Sequence, residues 1–528
     1  MRRTLFIVLY SSLAAAAILL ATRFVLGPFH LAMVSVNSPV NAAAALAVSF
    51  VLLMAAAGCQ PATSPPRAAA LGLSLILVAT VVAFWRNLQS PFVYDDYTHI
   101  VQASHATWRI MADAFKPEPG GHGLFFRPVA FISYWLDYQW AGTAAARWHA
   151  WSLAMHCANV GLLYLLISRL GMSRGATTLA AAVFALHGSR AETVAWSDAR
   201  SDLLATFFCL GALLAALDYS RQGRRASVIL SVLCAAFGVC TKESAFCLPL
   251  LPIALLPFLG REERRRAAKA SLALASVCAL LFAYRWWALG GIGGYPDRTG
   301  VSAIWHSRPL HSSEALLFRQ WAFLFFPVNW SVPLEYWLRA AAVAFIAGLA
   351  VCAVRCRPPR AHVLAGVAFL LAAGLPVQHL LMFQPDFAGA RVLYLPLAGL
   401  AIFWAAVVEG VQDRSLGWTL GAALLAFNLA ALEHNLGPWR TTPAAAAAVC
   451  QVLGRQMKSD PRPVVFRELP DRRDGVYFLA NGFPECVEMN SGQPMSKVYV
   501  VGRSPGLPPA NGRHFVWSSP ANELREEQ

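Results

Sequence analysis

The chain has 528 residues, of which 57% are hydrophobic and only 13% are charged. Soluble proteins carry about 25% charged residues, so the composition excludes an ordinary soluble protein and indicates an integral membrane protein. The formal net charge of +15 comes from basic clusters between apolar segments, as expected of cytoplasmic loops. This placement argues against nucleic acid as a partner.

Apolar segments long enough to cross a bilayer, about 20 residues each, recur from the N-terminus to Leu432. The first segment begins like a signal peptide, but it is long and no small-residue cleavage site follows it. We therefore predict an uncleaved first span and about 13 spans in all. They lie near residues 4–26, 40–57, 68–86, 149–168, 175–188, 202–219, 226–241, 245–260, 270–288, 337–354, 361–382, 391–409 and 416–433.

The loops between these spans fall into two kinds. If the N-terminus is cytoplasmic, the cytoplasmic turns are short and rich in arginine, such as SRLGMSR and REERRRAAK. The loops on the other side are the long ones, at 87–148, 187–201, 289–336 and 383–390, together with the tail after Leu432. We predict a multi-pass protein with its functional residues outside the cytoplasm, in the periplasm if the source is bacterial.

The sequence divides into three parts. Residues 1–66 hold two extra N-terminal transmembrane helices, and 67–440 hold the transmembrane core with its outer loops. Residues 441–528 contain short β-rich runs such as PVVFREL and KVYVVGR, separated by Pro, Gly and Asn. We predict that this last part is a small β-containing domain outside the cytoplasm, and we find no catalytic constellation in it.

Most of the 11 cysteines lie in apolar stretches, and no CxxC pair occurs. Packing is the expected role of buried cysteines. The sequence therefore predicts neither a disulfide nor a cysteine metal site.

Two adjacent carboxylates open the first outer loop, in the stretch YDDYTHI. Asp95 and Asp96 repel each other, and proximity to lipid raises the pKa of at least one of them, which suits a general base or a metal ligand. A solvated end of a span is the alternative interpretation. The loop continues through several aromatic residues, histidines and Arg127, which favours a binding site.

The stretch ALHGSRAETVAWSDARSDLL joins two spans and is dense in charge. A charge at mid-bilayer costs about 2.5–3.5 kcal/mol, so charges at the mouth of a helix pair imply a wet cavity or ionic partners. Arg200 and Asp202 are candidates for pairing with each other. The residues of interest are His187, Arg190, Glu192, Asp198, Arg200 and Asp202.

Three further positions carry polar groups near the outer side. Lys242 and Glu243 adjoin in an apolar turn, where a mutual ion pair is favoured over a phosphate-facing lysine. Arg391 stands alone at the outer end of its span and suits a lipid phosphate, because its planar fork binds oxyanions with two hydrogen bonds. His149 lies near the outer edge and is expected to line the cavity, whereas His156 is expected to pack between helices.

In this order the residues resemble the GT-C superfamily of polyprenyl-phosphate-sugar glycosyltransferases, and in particular its protein O-mannosyltransferase branch associated with tetratricopeptide repeats. The resemblance covers roughly residues 68–440. Two departures are Gly188, where the family has proline and which is expected to loosen the turn, and a small tail domain in place of the repeats. The matching elements are Asp95-Asp96, Arg127-Pro128, Tyr134 to Asp137, His149 to Asn159, His187 to Leu203, Lys242-Glu243 to Pro249, and Arg391 to Pro396.

The resemblance implies an all-α polytopic GT-C fold and a protein glycosylation enzyme. It implies inverting transfer of a mannose-like hexose from a polyprenyl phosphate to a hydroxyl on a protein, lipid or glycan. Asp95 or Asp96 would be the base, with Arg391 and then Lys242 on the donor phosphate. Residues implied to orient the acceptor or organise the site are Arg127, His149, His187, Glu192, Asp198, Arg200, Asp202 and Glu243. No metal is expected, with a divalent ion on the carboxylates as the alternative.

Two other classes of function compete with an enzyme. A lipid or glycan transporter or flippase also places ionisable groups within spans, but it needs access from both sides and often shows repeated halves. Here the charges crowd one face. A non-catalytic scaffold or sensor would leave the aspartate pair without a role, so the sequence favours an enzyme.

Overall fold

The structure of the chain is a computed structural model. It describes residues 2–28, 30–31, 34–35, 40–57, 70–116, 124–294, 309–381, 384–479, 481–502, 504, 507–518 and 523–527. The predicted cytoplasmic turn at 60–67 lies outside the described residues, as do parts of the predicted outer loops at 117–123, 295–308 and 383.

The described chain is mainly helical, as the apolar composition predicts. The helices are α1 Arg2–Leu26, α2 Val40–Ala57, α3 Ala70–Phe84, α4 Asp95–His105, α5 Trp108–Asp113, α6 Pro128–Ala141, α7 Ala145–Arg169, α8 Arg174–Leu186, α9 Arg190–Ala195, α10 Arg200–Gln222, α11 Arg225–Val239, α12 Arg261–Leu289, α13 Pro309–Glu314, α14 Gln320–Phe325, α15 Tyr336–Arg355, α16 Arg360–Gly374, α17 Pro396–Glu409, α18 Arg414–Leu436, α19 Pro438–Ser459 and α20 Phe483–Ser491.

Length and composition identify the membrane-spanning part. Among the described residues, 8 helices are long and apolar enough to cross a bilayer. Shorter apolar helices, including α8 and α17, occupy other predicted spans. The most buried of the long spans is α10, with 72% of its apolar window inside the protein against 22% for α12. The prediction of a polytopic helical membrane protein is confirmed.

The predicted span at 245–260 has a different form. It folds as two 3-10 segments, Glu243–Cys247 and Leu251–Phe258. Pro249, Pro252 and Pro257 interrupt it, and proline removes a helical donor and clashes with the preceding turn. The break leaves the chain after α11 as a tight polar turn at the mouth of the bundle.

Helices α16 and α17 cross at direct backbone contact. A Cβ on Gly366 would lie 2.7 Å from the carbonyl oxygen of Gly399, and a Cβ on Gly399 would lie 2.5 Å from that of Gly366. Small residues that face each other allow such close packing of spans. The crossing fixes α17, whose N-terminal end follows Arg391.

The tail forms a small α/β unit, as its β-rich runs predict. Its first helix, α19, runs through the boundary predicted at residue 441. In the main sheet the order is β6-β3-β7-β8, with β3 parallel to β6 and β7, and β8 antiparallel to β7. The strands are β1 His30–Leu31, β2 Val34–Ser35, β3 Val464–Arg467, β4 Arg472–Arg473, β5 Val476–Tyr477, β6 Val498–Val500, β7 Arg513–Ser518 and β8 Glu523–Glu526.

A disulfide joins the two tail helices, contrary to the prediction of none. Cys450 of α19 is bonded to Cys486 of α20, at a sequence separation of 36. The other described cysteines are free, as their apolar surroundings predict. The sequence concealed the bond because Cys450 lies in an alanine-rich run and pairs across the fold, without a local spacing motif.

We expect the Cys450→Ser variant to lower the free energy of unfolding of the tail domain by about 2–4 kcal/mol, because the disulfide restricts the unfolded chain. Thermal unfolding with and without a reducing agent measures the effect. Cys157→Ser is the matched control, since Cys157 is a free thiol. A reductant that leaves the wild-type transition unchanged would contradict the bond.

Candidate active site

The carboxylate of Asp96 joins the two outer segments that carry the acidic residues. Asp96 lies in the first turn of α4 and is 2% exposed. Its two oxygens accept hydrogen bonds from the backbone N–H groups of Val93, at 3.1 Å, and Asp198, at 2.9 Å. Burial raises the pKa of Asp96 to about 8, so near neutral pH it is protonated. Asp96 therefore has a structural role.

Asp95, its neighbour, is partly exposed. Burial and the charge of Asp198 raise the pKa of Asp95 to about 7. His99, a hydrogen bond with the Asn481 side chain and the charge of Arg391 act in the opposite direction. A carboxylate with a pKa near the working pH is suited to general base catalysis, so the geometry separates the two aspartates that the sequence left equivalent.

Asp198 is held as an ion by residues on two other elements. His99 Nε2 lies 2.7 Å from Asp198 Oδ1, and the Tyr134 hydroxyl donates to the same oxygen at 3.0 Å. Burial alone would raise the pKa of Asp198, but the His99 charge lowers it below its usual range. The His99 ring stacks on Tyr134 with 4.3 Å between ring centroids. His99 was not among the site residues predicted from the sequence. It lies one helical turn after Asp95 in α4, so only recognition of that helix would have placed it beside the aspartates.

Arg391 is paired, which corrects the prediction that it stands alone. Its guanidinium forms an ion pair with Glu192, and its backbone N–H donates to the other Glu192 oxygen at 3.0 Å. The guanidinium also lies over the rings of Trp196, at 4.9 Å, and Tyr477, at 5.6 Å. A cation at the mouth of an apolar bundle needs such partners. The Arg391 side chain is still 23% exposed.

Backbone strain marks the residue before Asp95. Tyr94 has a φ of 56°, a conformation that costs a bulky residue about 1–3 kcal/mol. Its ring packs against Trp196, at 6.2 Å, and Tyr477, at 4.8 Å. A Cβ on Gly482 would lie 2.0 Å from the Tyr94 carbonyl oxygen, so only glycine allows the tail to approach this turn.

The tail domain closes one side of the site, although the sequence showed no constellation in it. The Asn481 side chain forms a hydrogen bond with Asp95, and the Tyr477 ring packs against the Arg391 guanidinium. Thr98 of α4 donates to Glu485 of the tail at 3.2 Å. None of these tail residues forms a recognisable motif, because their roles depend on docking against α4.

The turn after α11 holds two separate ion pairs, so the predicted pairing of Lys242 with Glu243 is wrong. Lys242 Nζ lies 2.5 Å from Asp202 Oδ2. Glu243 lies 2.6 Å from Arg127 and 3.1 Å from Arg285. Although burial opposes ionisation, these two guanidinium groups lower the pKa of Glu243 to about 2. Lys242 has an extended backbone, and adjacent side chains of an extended chain point to opposite sides.

Arg200 and Asp202 do not pair with each other either. Arg200 forms its ion pair with Asp137 of α6 and lies over the rings of Tyr134 and Trp148, each at 5.2 Å. Residues two positions apart on a helix do not face each other. The two charges at the start of α10 therefore anchor different neighbours.

His149 and His187 are buried and bind backbone carbonyl groups. His149 Nε2 lies 3.0 Å from the Ser90 oxygen, and His187 Nε2 lies 2.7 Å from the Leu324 oxygen. His149 is only 3% exposed, so the expectation that it lines the cavity is wrong. Both histidines tie the outer loops to the bundle and are too enclosed to contact a substrate.

The glycine after His187 has a packing reason. A Cβ on Gly188 would lie 2.4 Å from the carbonyl oxygen of Pro327. The turn is therefore closely packed at this point, contrary to the expectation that the glycine loosens it.

A cavity of about 560 Å³ opens beside the His99–Asp198 pair. Its wall is mainly apolar, with residues from α4, α5, α6 and the end of α12. Thr98, His99, Arg127, Tyr134 and Glu485 are among the polar residues that line it. The cavity can hold a ligand that has both a polar and an apolar part.

Within the described residues, no three His, Cys, Asp or Glu side chains are grouped as metal ligands. The expectation of a metal-independent site therefore stays a prediction.

Comparison with known proteins supports the resemblance seen in the motifs. No protein-family model matches the chain. Protein O-mannosyl-transferase Tmtc1 of Drosophila melanogaster is 29% identical over 215 residues, which are 38% of this chain and 25% of that protein. Protein O-mannosyl-transferase TMTC1 of Mus musculus is 30% identical over 163 residues, 28% of this chain and 17% of that protein. The chain thus spans about a quarter or less of the length of these relatives.

Two solved structures align over most of the chain. The alignment with ArnT from Cupriavidus metallidurans bound to undecaprenyl phosphate covers 83% of this chain and 87% of the ArnT chain, at 14% identity and a TM-score of 0.41. The archaeal oligosaccharyltransferase AglB from Archaeoglobus fulgidus, in complex with an inhibitory peptide and a dolichol-phosphate, covers 80% of this chain and 64% of its own, at 11% identity and a TM-score of 0.46.

We expect Asp96→Asn to lower the free energy of unfolding by about 1–3 kcal/mol, because an amide nitrogen cannot accept one of the two buried backbone hydrogen bonds. Thermal unfolding in detergent measures the loss. Asp113→Asn is the control, since the Asp113 side chain is 58% exposed and pairs with the exposed side chain of Lys116. Equal stability of both variants would contradict the structural role of Asp96.

Proposed function

We propose that the protein is an inverting glycosyltransferase that moves a mannose-like hexose from a polyprenyl phosphate to a hydroxyl on a protein. One observation carries the proposal: Asp95, with a pKa near 7, lies within electrostatic reach of Arg391 at the mouth of the bundle. A base and an oxyanion-binding cation on one site are what this transfer needs. The names of the matching relatives support mannose as the sugar and protein as the acceptor.

Asp95 is the base in this proposal. Its carboxylate takes the proton of the acceptor hydroxyl as the oxygen bonds to the anomeric carbon. The bond from that carbon to the phosphate oxygen breaks on the opposite face, so the configuration inverts, and the phosphate leaves as an anion. Asp198 repels a second negative charge and keeps the pKa of Asp95 high enough to accept the proton.

Arg391 stabilises the leaving phosphate. Its guanidinium is partly exposed, while the ion pair with Glu192 and the rings of Trp196 and Tyr477 fix its position. Fixed charge near a developing oxyanion costs no reorganisation during the reaction. Lys242 is 8% exposed and engaged by Asp202, so it supports the site through Asp202 and is the weaker candidate for the phosphate.

The proposal includes an orientation of the protein in the membrane. The N-terminus lies in the cytoplasm, and the site and the tail domain lie on the extracytoplasmic face. The turns on the opposite face are short and rich in arginine, which supports a cytoplasmic location for that face. The disulfide between Cys450 and Cys486 supports an oxidising compartment for the tail.

We expect the rate of transfer to rise with pH through about 7 and then to level off, because Asp95 accepts a proton only when it is ionised. Transfer from labelled polyprenyl-phosphate mannose by the purified full-length chain measures the profile. Asp95→Asn should remove turnover. In His99→Gln the rate of transfer should still rise with pH, because the rise belongs to the ionisation of Asp95 and not to that of His99. Full turnover in Asp95→Asn, with inverting transfer retained, would rule out the assigned base.

We expect Arg391→Gln to lower kcat by about 10²–10³, the usual cost of losing one oxyanion-stabilising donor. Arg86→Gln is the matched control, because the Arg86 side chain is 74% exposed and pairs only loosely with Glu433 at 3.8 Å. The same assay measures both variants. An effect of Arg391→Gln confined to KM would place the arginine in ground-state binding and not in the departure of the phosphate.

A further inference from the structure

A second cavity, far along the chain from the acidic doublet, lies between the end of α1 and the turn that precedes α15. Its volume is about 310 Å³. It contains two arginines, Arg23 and Arg339, one from each span. The other described lining residues are Phe24, Gly27, Pro28, Trp330, Ser331, Val332, Pro333 and Leu334.

Arg23 is a buried cation without an ionic partner among the described residues. It is 9% exposed, and its Nε is buried with no hydrogen-bond acceptor. Its guanidinium lies over the Trp330 ring at 5.2 Å from the centroid. A guanidinium has five N–H donors in a planar fork, and within the described residues the Arg23 side chain uses none of them in a hydrogen bond. Burial of an uncompensated charge is costly, which favours an anionic ligand.

Arg339 adds a second positive charge to the same cavity. Its Nε and one terminal nitrogen donate to the carbonyl oxygens of Leu334 and Val25, both at 3.2 Å. Glu335 lies one turn away, but its carboxylate accepts a hydrogen bond from the Trp337 indole. Within the described part of the chain, neither arginine of the cavity makes an ion pair with a carboxylate. Two positive charges in one cavity repel each other, and an anion bound between them offsets this repulsion.

The cavity lies where a bilayer would place its headgroups. Arg23 belongs to the last turn of the span Thr4–Leu26, and Arg339 to the first turn of α15. Leu26, which is 71% exposed, and Tyr336, which is 88% exposed, flank the two arginines on the outer surface. Aliphatic residues in hydrocarbon with aromatic and basic residues at its edge are typical of a membrane interface.

The cavity and the candidate active site face the same side of the membrane. Asn329, next to the cavity residue Trp330, donates to the Asp474 carbonyl of the tail domain at 2.7 Å. The backbone N–H of Trp330 donates to the Pro385 carbonyl at 2.9 Å, close to the loop that carries Arg391. The cavity therefore adjoins the same leaflet as the candidate active site.

We propose that Arg23 and Arg339 bind the phosphate of an anionic phospholipid of the surrounding leaflet. This site is separate from the site of sugar transfer and does not depend on that activity. Arginine forks pair with phosphate oxygens by two hydrogen bonds, and the Trp330 ring holds one of the forks in place. The acyl chains lie along the exposed aliphatic ends of α1.

The test measures how tightly the full-length chain in detergent retains phosphatidylglycerol, by native mass spectrometry over a lipid titration. We expect wild type to prefer phosphatidylglycerol to phosphatidylcholine. Arg23→Gln should weaken the binding of phosphatidylglycerol by about tenfold, the size of one lost charge-assisted hydrogen bond. Arg23 makes no side-chain hydrogen bond within the described residues, so we expect this variant to fold.

Arg147→Gln is the matched control, because Arg147 also lies near the end of a span beside a tryptophan, with 5.8 Å to the Trp140 ring, but does not line this cavity. Arg339→Gln is the second variant and should also weaken the binding. No preference of wild type for the anionic lipid overturns the proposal, as does equal loss in Arg23→Gln and Arg147→Gln. Displacement of the lipid by inorganic phosphate at similar concentration overturns the assignment to a phospholipid.

Discussion

An unpaired charge is costly at the mouth of an apolar helix bundle, and this constraint organises the outer half of the protein. The buried ion pairs of the outer loops join different segments of the chain, so they hold these loops in one arrangement. The hydrogen bonds of Asp96 add a neutral link of the same kind. The cross-segment pairs are Asp137–Arg200, Glu192–Arg391, Asp202–Lys242 and Glu243–Arg127.

Beside these ion pairs, a few charged groups stay accessible. Asp95 is held less firmly than Asp96, because its contacts come from side chains and not from two backbone donors. Arg391 keeps an exposed edge although Glu192 fixes its position. A general base and a cation that are held in position but still accessible are what transfer of a glycosyl group from a phosphate needs. The same physical argument underlies the anion site proposed at Arg23, which has no ionic partner among the described residues.

The tail domain belongs to the active face and is more than an attached module. Gly482 packs against the strained turn at Tyr94, and Asn481 and Tyr477 contact Asp95 and Arg391. The contacts of the tail offset the cost of the strained Tyr94 backbone. Residues of the tail and of α4 thus form one unit, although nearly four hundred positions separate Thr98 from Glu485.

The sequence by itself determined the membrane-spanning helical class and the set of charged residues at the outer face, because apolar length and sparse charge are local properties. It also led to the matching relatives through the order of its motifs. Only the tertiary structure decided the pairing, because Arg391 and Glu192 are 199 positions apart and Arg127 and Glu243 are 116 apart. The neighbours that the sequence paired, Lys242 with Glu243 and Arg200 with Asp202, point to different sides of the backbone. The choice between Asp95 and Asp96 likewise depends on folding, since burial and distant partners set their pKa values.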